Sequence, residues 1–135
     1  MRLIDAKNIE KGKRDTFFAA NKHLNNDQLL ADGYLVEDND QIIGCFIIES
    51  VSADVYWLKQ LYIIQSSAHL LPALLEAILM FAKRKQAKKV HVFSHQATVD
   101  IILEALQFQE EGQTKPITVN PNYYHNGKWW TYSVS

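Results

Sequence analysis

The residues with the clearest chemical potential lie between Val55 and Lys85. A run of strand formers, Lys59-Gln60-Leu61-Tyr62-Ile63-Ile64, meets a short polar stretch, Gln65-Ser66-Ser67-Ala68-His69, and then an apolar segment from Leu70. A strand that feeds a loop and then a helix makes an anion site. The first helical N–H groups have no intrahelical partner, and the helix dipole is positive there. A pyrophosphate suits such a site. The pattern is shared by every strand–helix junction, so alone it names no ligand. Two other groupings carry less. His91 and His95 are four residues apart, but His91 falls on an expected strand and no cysteine or carboxylate completes a metal set. Cys45 lies in an apolar strand and reads as core.

The elements that must position these residues follow from periodicity. Met1 to Ile4 reads as a short strand, and Asn8 to His23 as one helix or two short ones. Asn25-Asn26-Asp27 caps a turn running through Leu30, and Gly33 then breaks the chain. Tyr34-Leu35-Val36 and Gln41 to Ile48 form a hairpin around Glu37-Asp38-Asn39-Asp40, residues that tolerate turn geometry. Gly44 inside the second strand implies a bulge or a close backbone approach. A third strand, Asp54 to Ile64, places Val55, Trp57, Leu61 and Ile63 on one period-2 face. Ser66 and Ser67 then cap a helix from His69 to Arg84, with Pro72 in its first turn. A strand at Lys89 to Phe93 and a helix at Gln96 to Gln107 follow. Two more strands, Thr114 to Tyr124 and Lys128 to Val134, join at Asn126-Gly127, a hairpin signal. Trp129 and Trp130 would point to opposite faces, one buried and the other lining a groove or a dimer contact. The order is β, α, β-β-β, α, β, α, β-β. It describes a single mixed α/β (α+β) domain over residues 1–135, with helices on a central sheet.

Composition narrows the classes. The chain has 135 residues, enough for one buried core, and a formal net charge of -1. No concentrated positive field points to nucleic acid or an anionic membrane surface. The basic run Lys83, Arg84, Lys85, Lys88 and Lys89 sits at a helix end, where cations complement the dipole. One cysteine allows no internal disulfide. The N-terminal stretch lacks the apolar core of a signal peptide. Leu70 to Ala82 contains Pro72 and Glu76 and is shorter than the roughly 20 residues of a spanning helix. These features imply a cytoplasmic protein.

From Tyr34 to Phe108 the chain resembles the GNAT superfamily of acetyl-CoA-dependent N-acetyltransferases. The resemblance rests on the acidic hairpin, the strand ending Leu61-Tyr62-Ile63, the helix containing Ala73-Leu74-Leu75-Glu76-Ala77-Ile78-Leu79, and Leu103-Glu104-Ala105-Leu106-Gln107-Phe108 closing the last helix. It implies a mostly antiparallel, twisted sheet of six to seven strands with a splayed parallel pair, flanked by about four helices. It implies that the backbone of Leu61, Tyr62 and Ile63 bonds the pantetheine arm of coenzyme A. The family's loop Arg/Gln-x-x-Gly-x-Gly/Ala matches Gln65-Ser66-Ser67-Ala68-His69-Leu70; anchored on the helix instead, it starts at Ser66 and places His69 and Leu71 at the glycines. Ser66 and Ser67 would supply hydroxyl donors, and His69 positive charge when protonated. Gln96 matches an upstream asparagine by spacing. The family's Tyr-x-x-x-Gly-Phe reads Leu103 to Phe108 here, so leucine replaces the tyrosine that protonates the departing thiolate, and Gln107 replaces the glycine. Tyr123, Tyr124 and His125 approach the final hairpin and are the candidates to replace that tyrosine, with Tyr124 taken as the catalytic one. Glu49, at the end of the second hairpin strand, is the candidate base, followed by Asp54.

The expected function is transfer of an acetyl group from acetyl-CoA, or a related acyl group, to a small amine or a protein amine. Two rivals stay open. One is a catalytically impaired member that senses CoA or contacts a protein. The other is a homodimer subunit whose aromatic tail forms the interface.

Overall fold

The computed structural model describes residues 1–112, 116 and 126–134. Among them, seven strands form one sheet in the order β1-β2-β3-β4-β5-β7-β6. The strands are β1 (Arg2–Asp5), β2 (Gly33–Asp38), β3 (Gln41–Ser52), β4 (Val55–Ile63), β5 (Lys89–Ser94), β6 (Gln109–Gly112) and β7 (Lys128–Ser133). The α-helices are α1 (Lys11–Ala20), α2 (Asn26–Asp32), α3 (Leu71–Arg84) and α4 (Ala97–Ala105). The β1–β2, β2–β3, β5–β7 and β6–β7 pairs are antiparallel, and β4–β5 is parallel. This is the expected mixed α/β class and element order. The described residues fall into two compact units: Met1–Ile48 with Lys59–Leu74, and Glu49–Leu58 with the chain from Leu75 onward.

In the first unit, apolar residues of α1, α2, β2 and β3 enclose a core of Phe17, Phe18, Leu29, Leu35, Ile42, Cys45 and Ile47. Asn25 caps α2 as expected, its side-chain oxygen accepting from the N–H of Gln28 at 3.1 Å. Gly33 does more than break the chain, since it is also the first residue of β2. The hairpin turns at Asn39 (φ 50°) and Asp40 (φ 66°). Two left-handed residues in succession match the right-handed strand twist, and Asn and Asp tolerate that conformation. Lys13 reaches from α1 to Asp40 (2.6 Å) and Glu37 (3.2 Å), tying the helix to the turn. The register steps from Val36 opposite Gly44 to Glu37 opposite Ile42, so Ile43 is the bulged residue.

In the second unit, α3 and α4 end alike. Ala87 N–H bonds Ala82 C=O (3.0 Å) and Gln86 N–H bonds Lys83 C=O (2.9 Å); Phe108 N–H bonds Leu103 C=O (2.9 Å) and Gln107 N–H bonds Glu104 C=O (3.0 Å). These are Schellman closures. The left-handed position is Gln86 (φ 65°) in one and Gln107 (φ 71°) in the other. The glycine that Gln107 replaces in the family pattern therefore has a backbone reason to be there.

Two expectations are corrected and a third falls largely outside the described residues. First, β7 pairs with Gln109–Gly112, an unexpected strand; the expected strand Thr114 to Tyr124 lies outside the described residues apart from Pro116. Gln-Glu-Glu-Gly has no apolar alternation, so only its pairing with β7 reveals it. Second, Trp129 and Trp130 are both buried. Trp129 packs on Phe93 (ring centroids 5.3 Å apart) and Trp57 (6.0 Å). The Trp130 indole N–H donates to Asp100 Oδ1 at 2.9 Å, which satisfies its polar end. Third, the apolar helical stretch is longer than Leu70 to Ala82. Gln65–Arg84 forms 20 consecutive helical residues of mean hydropathy 1.2, enough to cross a membrane by length and composition alone. In this fold Leu74, Leu75, Ile78 and Ala82 are fully buried core.

The two left-handed glutamines generate a prediction. Gln107→Gly, and separately Gln86→Gly, should each raise stability by about 1 kcal/mol, because relief of the Cβ clash exceeds glycine's added chain entropy. Urea unfolding measures it; a lowered midpoint would contradict the closure geometry.

Candidate functional site

Strand β4 pairs with β5 only over Val55–Leu58, opposite Lys89–Val92. It then continues as Lys59–Ile63 outside that ladder. The first unit holds this second half. Ile64 N–H bonds Ile43 C=O at 2.8 Å. Gly44 lies so close that a Cβ there would stand 2.5 Å from Tyr62 C=O, which is the close approach expected of that glycine. Gln60 takes φ 53° in mid-strand. Its carbonyl accepts from Cys45 Sγ at 3.7 Å, and its side chain donates to Gln28 Oε1 at 2.6 Å. The expected odd-numbered face of this strand is corrected. Buried Leu58 is even-numbered, and Tyr62 and Ile64 pack on the first unit's core. The Tyr62 hydroxyl donates to Asn21 Oδ1 at 2.7 Å, so its side chain is committed inward.

The stretch after β4 is not an open loop. Gln65–Leu70 is a 3-10 helix that runs directly into α3. Its N-cap is Ile64, whose carbonyl accepts from Ser67 N–H at 3.0 Å. Ser66 and Ser67 are therefore inside the helical run and do not cap it. The expected capping fails because the chain turns helical two residues sooner. Gln65 and Ser66 precede the first intrahelical bond, so their N–H groups are the ones presented at the helix start. Gln65, Ser66, Ala68 and His69 are exposed, while Ser67, Leu70 and Leu71 are half-buried.

A groove of about 760 Å³ lies within the second unit. Glu49, Val55, Trp57, Lys89, His91, Glu111 and Thr131 are among its lining residues. His91 stands opposite Trp57 in one register and opposite Thr131 in the other. His91 is buried, and its Nδ1 lies 2.8 Å from Thr131 Oγ1. Burial holds its pKa below the ordinary value, with Lys89 acting in the same sense and Glu111 against it. Glu111 is the bulged residue where β6 shifts register against β7.

The predicted residues thus divide. Leu61, Tyr62, Ile63, Gln65, Ser66, Ser67, Ala68, His69, Leu70 and Leu71 belong to the first unit. Glu49 lines the groove of the second, and Gln96 is the exposed N-cap of α4 there, with no side-chain capping bond. Tyr124 lies outside the described residues. Leu103, at the tyrosine position, is fully buried core. Cys45 is buried, which pushes its thiol up to about 12 and leaves it no nucleophile at neutral pH. Sequence reasoning passed over His91 except as half of a weak histidine pair. The available signal was a polar residue between Val90 and Val92 on an otherwise apolar strand.

No family model and no curated protein matches the chain in sequence. Solved structures match it in fold. The Campylobacter jejuni N-acetyltransferase PseH superposes with a TM-score of 0.74 at 13% identity, over 99% of this chain and 98% of that one. N-acetylglutamate synthase from Neisseria gonorrhoeae, complexed with coenzyme A and N-acetyl-glutamate, gives 0.74 at 16% identity, over 99% of this chain and 35% of that one. A GNAT family acetyltransferase from Elizabethkingia anophelis with acetyl-CoA bound gives 0.58 at 20% identity, over 79% and 80%. At these identities the likeness establishes the fold, and this chain has the fold of the GNAT N-acetyltransferases.

Two outcomes follow from the geometry. Gly44→Ala should cost roughly 1–3 kcal/mol of stability, because its methyl group meets Tyr62 backbone; an unchanged urea midpoint would refute the close approach. For His91 the folded pKa lies below the ordinary 6.5. Between those values the unfolded chain binds more protons, so stability rises with pH there. The contribution is fully present above 6.5 and is lost as pH falls from 6.5 through the lowered folded value. Unfolding midpoints of the wild type should therefore drop more steeply across that window than those of His91→Asn, and parallel slopes would argue against it.

Proposed function

We propose that this chain binds acetyl-CoA and transfers its acetyl group to an amine. The observation that carries the reading is the course of β4, which leaves its parallel partner after Leu58 and runs through Gln60 straight into a 20-residue helical stretch. Backbone released from a ladder offers unpaired hydrogen-bonding groups, which an extended amide-bearing arm can take up. Leu61, Tyr62 and Ile63 would bind the pantetheine arm by main chain alone, since the Tyr62 side chain is held by Asn21.

The N–H groups of Gln65 and Ser66 would receive the pyrophosphate at the helix start, where the dipole favours negative charge. The Ser66 and Ser67 hydroxyls add donors, and His69 adds charge when protonated. Ala68, Leu70 and Leu71 complete the turn. Gln96 would contribute its side-chain amide. Glu49, in the groove, would meet the incoming amine, and Tyr124 would protonate the departing thiolate. A backbone N–H that polarises the thioester carbonyl completes what the reaction needs. Thiolate is a fair leaving group, so Leu103 in place of tyrosine need not abolish turnover.

Acetyl-CoA and desulfo-CoA should each raise the thermal midpoint, by about 2.7 kcal/mol of stabilisation at a hundredfold excess over Kd. No shift at millimolar CoA would eliminate the reading. A shift without thiol release across an amine panel would favour a CoA-sensing protein. Glu49→Gln should slow turnover with CoA binding unchanged.

A further inference from the structure

One row of side chains crosses the second unit: Trp57 on β4, His91 on β5, Thr131 on β7 and Gln109 on β6, each opposite the next in register. The first three line the groove with Glu49 and Glu111. His91 is only 6% exposed, an unusual burial for a polar side chain, and Thr131 Oγ1 holds its Nδ1 at 2.8 Å. With the ring proton on Nδ1 and donated to Thr131, Nε2 carries the lone pair on a ring that borders the groove. That is the arrangement of an oriented base: one nitrogen fixed by a hydroxyl, the other able to accept.

We propose that His91, oriented by Thr131, accepts the proton of the attacking amine, and that Glu49 and Glu111 draw the ammonium into the groove. This rests on the acetyl-transfer reading, reassigns the base from Glu49 to His91, and routes the thiolate's proton through His91 in place of Tyr124. The charged groups that line the groove with His91 are Glu49 from β3, Lys89 on its own strand and Glu111 from β6; β4 and β7 present Trp57 and Thr131. Burial keeps His91 uncharged at neutral pH, ready to accept. Trp57 offers a ring face to a cationic or aromatic amine.

The reaction balances as follows. The entering ammonium gives one proton through Nε2 to solvent. The neutral nitrogen forms a bond to the thioester carbonyl carbon. As the C–S bond breaks, its electron pair leaves with the sulfur, and the second nitrogen proton passes through Nε2 to that thiolate. The products are the amide, the free thiol and one proton.

The test uses the full chain with acetyl-CoA and 2-phenylethylamine, an aromatic primary amine. His91→Gln should lower kcat by about 100-fold or more, the usual weight of a general base, with KM for acetyl-CoA unchanged. Glu49→Gln should instead raise KM for the amine, so that the slower turnover expected of it appears only below saturating amine. The acid limb of kcat/KM in the wild type should coincide with the His91 titration followed by imidazole NMR, and Thr131→Val should move both together. A His91→Gln enzyme with normal kcat and an unaltered acid limb would overturn the assignment. If that variant does not fold, a wild-type acid limb that departs from the His91 titration overturns it. If no turnover is found, the amine must still shift the His91 imidazole resonances in the presence of desulfo-CoA, and unmoved resonances at saturating amine overturn it. Failure of the CoA reading registers separately, as the absent thermal shift.

Discussion

The fold turns on the backbone of one strand. Up to Leu58, β4 satisfies its peptide groups in a parallel ladder with β5. From Lys59 it depends on the first unit, through the Ile64–Ile43 hydrogen bond, the close passage of Gly44 and the Tyr62–Asn21 bond. The boundary between the two compact units falls at the same point, between Leu58 and Lys59. Buried peptide groups must find partners somewhere, and this strand exchanges one set for another at one place along its length. Gln60, left-handed in mid-strand, marks that place. Non-glycine residues in this conformation persist only where their surroundings hold them, and Gln60 is held by Cys45 and Gln28.

The second unit solves a different problem. Its sheet carries polar groups in a largely apolar setting, and two of them are held by specific partners. His91 meets Thr131, and Trp130 meets Asp100. Such pairs add little net stability, but losing one partner leaves a desolvated group at a cost of about 1–3 kcal/mol. A buried histidine on a central strand therefore depends on its hydroxyl partner. Its neighbours Trp57 and Thr131 are supplied by different strands, which is how a sheet assembles chemistry from residues far apart in sequence.

Periodicity made most of the architecture legible. The 3.6-residue spacing of Leu71, Leu74, Leu75, Ile78 and Ala82 located α3, and the acidic turn between apolar runs located the β2–β3 hairpin. These signals survive because burial of one face is a local requirement. The misses have equally physical causes. β6 is a polar edge strand whose residues record no buried face. The face expected of β4 is not the one the core takes, because both parities of this strand carry apolar residues and only packing shows that Leu58, Tyr62 and Ile64 are the inward ones. Ser66 and Ser67 have cap-forming chemistry, yet the helix begins at Gln65, because packing rather than capping preference sets where a helix starts.

The sequence by itself determined the mixed α/β class, the order of elements, a strand that ends near Ile64 ahead of a long helix, and the absence of glycine from the segment between them. These depend on neighbours in the chain, and local spacing records them. Only the tertiary structure decided that β4 leaves its partner after Leu58, that the junction is a 3-10 helix, and that Glu49, Trp57, His91, Glu111 and Thr131 share one groove. Those outcomes depend on cross-strand register. Register is set by pairing between residues tens of positions apart, and no periodicity within a single segment encodes it.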